Sequence, residues 1–149
     1  MPSSNERRIE ELQRILEKLV VEATSGTPII VEGPRDRESL ERLEVKGDII
    51  SVKTSGKTLL DVLQEIESCS KGEVILLMDF DRRGKEMTAR IIKNLEKSGV
   101  KSNLVFWKKL SSLVGRDVKD IEGLAKYLQT FNRKLGRDAP SSSFWDSLL

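Results

Sequence analysis

Residues 74–86 read VILLMDFDRRGKE. Five apolar residues, Val74 to Met78, run into Asp79, skip Phe80, reach Asp81 and then meet a basic turn closed by Gly84. Side chains two apart on a strand share a face, so the two carboxylates are expected side by side at a strand end. Adjacent anions repel unless a proton or a cation lies between them. The plainer alternative is a solvated acidic turn in which Asp81 caps the next helix, a position that favours Asp.

Working outward, apolar residues at helical spacing (Ile9, Leu12, Ile15, Leu16, Leu19, Val20, Ala23) predict an amphipathic helix from Asn5 to about Ser25, with Gly26 placed for a C-terminal cap. Strands are predicted over 27–32 (TPIIVE), 48–53 (DIISVK), 73–78 and 102–107 (SNLVFW). Between them fall helices over about 35–43, through Leu59, Leu63 and Ile66, and over about 84–98. A short helical turn at 110–114 and a helix from Lys119 to about Leu135 follow. The segment 136–149 (GRDAPSSSFWDSLL) is Ser-rich and reads as a flexible tail ending in an apolar cluster. Strands alternating with helices imply parallel βαβ units, and an uninterrupted run such as VILLM suits burial on both faces. The expected class is α/β: a four-stranded parallel sheet covered by helices, with an N-terminal helix over 1–26, the main domain over 27–135 and the tail after it.

Composition narrows the chemistry. With 38% hydrophobic and 34% charged residues, the 149-residue chain suits one soluble domain with a densely charged surface. A net charge of +2 is too small to announce a nucleic-acid partner by itself. No run approaches the roughly 18 apolar residues of a membrane span, and the start MPSSNERRIEE lacks an apolar signal core. The expectation is a cytoplasmic protein without membrane association. There is no histidine, and Cys69 is the sole cysteine. Ser–His and Cys–His pairs, imidazole metal sites, thiolate zinc clusters and internal disulfides are thereby excluded. Catalysis would rest on carboxylates, lysines, arginines or a hard metal ion.

Ligands of open α/β sheets bind beyond the carboxyl ends of the strands. Those ends carry Glu32 and Gly33, then Thr54-Ser55-Gly56-Lys57, then Asp79 and Asp81. Three carboxylates and glycine turns (Gly33, Gly56, Gly84) at one edge make a site suited to Mg²⁺, which takes oxygen ligands and phosphate oxygens. Arg35, Arg37, Lys57, Arg82, Arg83 and Lys85 lie on the same loops. Each alone is an ordinary surface charge; together they form the cationic rim a phosphodiester would need.

The combination IIVEG followed some 47 residues later by MDFDRRGKE resembles the Toprim domain, across roughly 28–128. That domain is shared by type IA and II topoisomerases, bacterial-type primases, OLD-family nucleases, RecR proteins and the ribonuclease that matures bacterial 5S ribosomal RNA. Its marks are a Glu ending the first strand and an Asp-x-Asp ending the third, followed by Gly; here they fall on Glu32, Asp79, Asp81 and Gly84. The V-E-G-x-x-D form (Val31, Glu32, Gly33, Asp36) is similar to the 5S maturase branch and to small stand-alone Toprim proteins of archaea and bacteria. The resemblance implies that strands one and three are neighbours and that Asp79 and Asp81 bind Mg²⁺, or Mn²⁺ in its place. Glu32 would be a further ligand or the general acid/base of phosphoryl transfer. Arg35, Lys57, Arg82, Arg83 and Lys85 would contact a nucleic-acid backbone, RNA or DNA. Asp36 is either a site residue or a first-turn carboxylate that offsets the helix dipole.

Several branches fit poorly. Tyr127, the sole tyrosine, falls in a predicted helix among core positions, unlike a topoisomerase nucleophile. The chain has no room for a primase's zinc module, lacks RecR's zinc cysteines, and its TSGKT (54–58) lacks the first glycine of a Walker A loop. Dehalogenase-type phosphatases want Thr or Val at position 83, where Arg83 stands, and receiver domains want paired acids after strand one. Two functions remain: a Mg²⁺-dependent nuclease-like enzyme, or a non-catalytic Toprim module that binds metal, nucleic acid or a partner. A protein partner or a dimer would use the N-terminal helix or the tail residues Phe144, Trp145, Leu148 and Leu149.

Overall fold

The computed structural model describes residues 3–134. In chain order these form α1 (Ser4–Thr24), β1 (Ile29–Val31), α2 (Pro34–Arg42), β2 (Ile49–Ser51), α3 (Leu59–Cys69), β3 (Glu73–Leu77), α4 (Arg82–Lys97), β4 (Lys101–Asn103), α5 (Val105–Val114) and α6 (Leu124–Lys134). The four strands make one parallel sheet in the order β2-β1-β3-β4. Register is fixed across its centre by Ile29 opposite both Ile49 and Ile75.

Period-two alternation sends successive strand residues into two separate cores. Ile29, Val31, Ile75 and Leu77 face α1, α2, α5 and α6, whereas Ile30, Val74, Leu76 and Met78 face α3 and α4. All eight are fully buried. The apolar runs of β1 and β3 are thus explained by helices on both faces. α1 contributes Ile9, Leu12, Ile15, Leu16, Leu19 and Ala23 to the first core, so its apolar stripe is spent within this chain. Gly26, at φ +97°, follows the C-cap Ser25.

Two predicted elements need correction. The run 102–107 is not one strand: β4 ends at Asn103, whose Oδ1 accepts from the Val105 N–H at 2.9 Å and turns the chain into α5. Phe106, Leu110 and Val114 then bury at helical spacing, so the apolar run LVFW belongs to a helix and the turn at 110–114 is its second half. The last helix also begins later than Lys119. Residues 115–123 form turns in which Asp120 accepts from the Gly123 N–H at 2.9 Å, and α6 starts at Leu124. The tail from 136 onward lies outside the described residues. Among the described residues, no helix is long and apolar enough to cross a membrane.

The order of crossovers positions the site. The chain leaves β1 for β2 on one side, then returns past β1 to β3 and continues outward to β4. Connections from β1 and β3 therefore diverge, and a crevice opens between their carboxyl ends, where open α/β sheets bind ligands. Glu32 directly follows β1, and Asp79 lies two residues beyond β3.

Candidate metal and phosphate site

Glu32 is 7% exposed and is shared between its two neighbours in the sheet. Its Oε1 accepts from the Lys53 ammonium at 2.8 Å, and its Oε2 accepts a long bond from the Asp79 backbone N–H at 3.4 Å. The backbone sets up this pairing, since the Lys53 N–H donates to the Glu32 carbonyl at 2.8 Å and extends the β1–β2 ladder. Lys53, at the end of β2, was no site candidate on sequence. A lysine at a strand end has no pattern of its own, and only the placement of β2 beside β1 gives it a role.

The Glu32 and Asp79 carboxyl groups face each other closely enough that each shifts the other, lowering Glu32 and favouring a proton on Asp79. Burial works against an ionised Glu32, but bonds from Lys53 and from Asp79 outweigh it and hold Glu32 below the usual carboxylate range. Burial, the facing Glu32 and the charges of Asp36 and Asp120 push Asp79 up to about 8. Two carboxyl groups in this relation cannot both ionise unless a cation replaces the proton. Hard oxygen donors held together in this way fit Mg²⁺, which is commonly bound by one or two carboxylates with waters and phosphate oxygens completing the shell.

Asp81 is placed differently. It is exposed and forms the N-cap of α4, with its Oδ1 accepting from the Gly84 N–H at 2.8 Å. Among the described residues, no three acidic or thiol side chains converge as a ready metal cage. Glu32 and Asp79 make the close pair, and Asp81 holds the helix that begins beside them. Gly84 has a separate constraint: a Cβ there would lie 2.0 Å from the Asp79 carbonyl oxygen, so only glycine lets the first turn of α4 approach the strand end. Gly56 adopts φ +80° in the loop after β2. Gly33 caps α2 with extended backbone that any residue can adopt, at φ −139°.

Asp36 is buried and braces the site. Its Oδ2 accepts from Gly33 N–H at 2.9 Å and its Oδ1 from Glu122 N–H at 2.7 Å, tying the loop after β1 to the 115–123 turns. Burial raises its pKa despite these two donors. The same turns are bound to the loop after β3, because the Phe80 N–H donates to the Lys119 carbonyl at 2.7 Å. Trp107 Nε1 donates to the Met78 carbonyl at 2.9 Å and secures the end of β3 from α5. Of the predicted cationic rim, Arg35 pairs with Glu122 (3.4 Å), Lys57 with Glu65 (2.9 Å) and Arg82 with Glu86 (3.2 Å), all on exposed surface. Arg83 and Lys85 are exposed in the first turn of α4.

A glutamate and an aspartate meeting at the ends of adjacent parallel strands, with a glycine packed on the aspartate carbonyl, coincide with a family match. The Toprim domain model matches residues 26–106. This chain belongs to the Toprim family. It is also 38% identical over 119 residues to a UPF0292 protein of Methanocaldococcus jannaschii, covering 80% of this chain and 91% of that one. A UPF0292 protein of Thermococcus onnurineus is 36% identical over 124 residues, covering 83% and 86% respectively. Among solved structures, a protein from Aquifex aeolicus superposes with a TM-score of 0.64 at 25% identity, over 74% of this chain and 95% of that one. With archaeal relatives, the chain carries a domain whose role is metal binding in nucleic-acid-related work, and Toprim domains generally bind divalent ions such as Mg²⁺.

Proposed function

We propose that this Toprim protein cleaves or transfers phosphodiester bonds of nucleic acid in a Mg²⁺-dependent reaction. The observation that supports this most is the meeting of Glu32 and Asp79 at the ends of the adjacent strands β1 and β3, where the Asp79 N–H reaches Glu32 Oε2 at 3.4 Å and burial beside Glu32 disfavours an ionised Asp79 without a cation. Glu32 and Asp79 would hold the ion, and Asp81 would contribute its second oxygen while capping α4. Bound Mg²⁺ supplies positive charge that offsets the charge developing on the phosphoryl oxygens. Glu32 is kept ionised and aimed by Lys53, with Oε1 on the ammonium and Oε2 left for the ion. Arg82, Arg83 and Lys85 neutralise the nucleic-acid backbone beside the first turn of α4. Contacts of that kind carry no base information, so weak sequence preference and steep salt dependence are expected.

Incubation of RNA and DNA with the wild-type chain and Asp79→Ala, with Mg²⁺ and with EDTA, tests the reading. Cleavage that needs Mg²⁺ and disappears in Asp79→Ala is expected. Activity that survives the substitution, or no cleavage of either nucleic acid, would overturn it. One observation favours a second reading as a non-catalytic module that binds metal and nucleic acid: Lys53 already neutralises Glu32, and Asp81 is engaged at a helix cap. Binding without turnover in the same experiment is its signature.

A further inference from the structure

Away from the carboxylates, a cavity of ≈ 600 Å³ opens between the start of α1, the 115–123 turns and one face of α6. Its α6 wall is a helical stripe, Lys126, Tyr127, Thr130 and Phe131, and Arg8 and Lys119 complete the rim. A volume of this size lies within the range of roughly 300–1,000 Å³ typical of ligand sites.

The lining is ordered. Asp117 accepts from Arg8 Nη1 at 3.1 Å and from the Tyr127 hydroxyl at 3.3 Å, which fixes the tyrosine ring from its polar end. Phe131 packs against that ring with centroids 4.8 Å apart and a 54° tilt. Asp117 is thus neutralised by Arg8, and Asp120 accepts from the neutral Gly123 N–H, so Arg8, Lys119 and Lys126 against Asp117 and Asp120 leave the lining one net positive charge. Lys119 and Lys126 are exposed and form no ion pair among the described residues. Net positive charge beside half-buried aromatic rings suits a phosphate joined to a flat base.

Placement ties this cavity to the carboxylate pair. The 115–123 turns that form its floor bind both catalytic loops, through Lys119 carbonyl to Phe80 N–H and through Glu122 N–H to Asp36. We propose that the cavity holds one unpaired nucleotide of a single-stranded substrate, its base against Tyr127 and Phe131 and its phosphate between Lys119 and Lys126. This deepens, and rests on, the reading of Glu32–Asp79 as a phosphodiester site. The groove commits to a single strand because only an unstacked base presents its face to an aromatic side chain. It also gives the enzyme a grip on substrate independent of metal.

Fluorescence anisotropy of labelled single-stranded RNA and DNA oligonucleotides, titrated with the full chain in EDTA, tests the proposal. The double substitution Lys119→Glu, Lys126→Glu is expected to weaken binding about tenfold or more, while Lys97→Glu, a charge reversal at the far end of α4, leaves it unchanged. An abasic unit at one position of the strand should lose about fivefold or more with the wild type and nothing with Tyr127→Leu, whose melting curve confirms that it folds. Equal losses for Lys97→Glu and the double variant would mean diffuse attraction and overturn the proposal. So would indifference to the abasic unit, or a changed oligomeric state with unchanged binding, which would assign the groove to a second copy. Because EDTA removes turnover, failure here leaves Asp79-dependent cleavage standing, and failure of cleavage leaves this binding result intact.

Discussion

The Lys53 ammonium lies 2.8 Å from Oε1 of Glu32, so a lysine leaving one strand neutralises the glutamate leaving the next. Glu32 is buried while Lys53 is half exposed. The pair therefore works as a tethered cation over a carboxylate that would otherwise be costly to ionise. Lys53→Ala is expected to lower stability in EDTA by about 1–3 kcal/mol, the usual cost of stranding a buried acceptor. Mg²⁺ should restore more stability to this variant than to the wild type, as read from urea denaturation midpoints. Equal responses to Mg²⁺ in both proteins would show that Lys53 and the metal do not share Glu32.

The proton on Asp79 gives the metal-free protein a definite pH dependence. The folded chain keeps that proton up to about 8, whereas the unfolded chain gives it up near 3.8. Between those values the folded state binds more protons, so stability falls as pH rises. Asp36, also raised by burial, adds to the decline. Glu32 has the opposite sign: its folded pKa is lowered, so its contribution is present above its ordinary 4.5 and fades as pH falls through the lowered value. Urea midpoints in EDTA should decline across pH 4 to 8, and Asp79→Asn should flatten most of that decline. A wild-type profile that rises through this range would contradict a proton held on Asp79.

Gly84 and Gly33 separate two kinds of glycine. Gly84→Ala puts a Cβ 2.0 Å from the Asp79 carbonyl oxygen and forces α4 off the strand end. Overpacking of this kind typically costs about 1–3 kcal/mol and often more against backbone. Gly33→Ala meets nothing nearer than 3.8 Å and should be close to neutral. Thermal melts of the two variants check the contrast, which an equal loss would refute.

Much of the architecture was legible because β1 and β3 are buried on both faces, and buried parallel strands read as unbroken apolar runs. Glu32, Asp79 and Asp81 were expected to converge across neighbouring strands one and three; the strands are neighbours, but among the described residues no three such side chains gather. Short apolar runs are ambiguous, however. Residues 104–107 look like a strand until the Asn103 side chain caps the Val105 N–H. Val118 and Ile121 follow helical spacing, yet they bury from turns stapled by Asp120. Lys53 and the Asp36–Glu122 bond were invisible because each depends on a partner 21 or 86 positions away.

Asp81 serves a helix cap and stands beside the proposed metal, and two substitutions separate these duties. Asp81→Asn keeps a capping oxygen and should hold stability within a few tenths of a kcal/mol, whereas Asp81→Ala should cost about 1 kcal/mol. If the second oxygen of Asp81 also contributes to the metal, both variants require more Mg²⁺ for cleavage. An Asn variant with wild-type Mg²⁺ dependence would confine Asp81 to its cap.

The central claim is that Glu32 and Asp79 form one cation site at the crevice between β1 and β3. Calorimetric titration of the metal-free chain with Mg²⁺, at a pH just below 8 where Asp79 still holds its proton, tests it most directly. Saturable binding with release of a proton, abolished in Asp79→Asn while its melting curve remains cooperative, is the predicted result. Mg²⁺ binding of equal strength in Asp79→Asn, or no binding by the wild type, would contradict it.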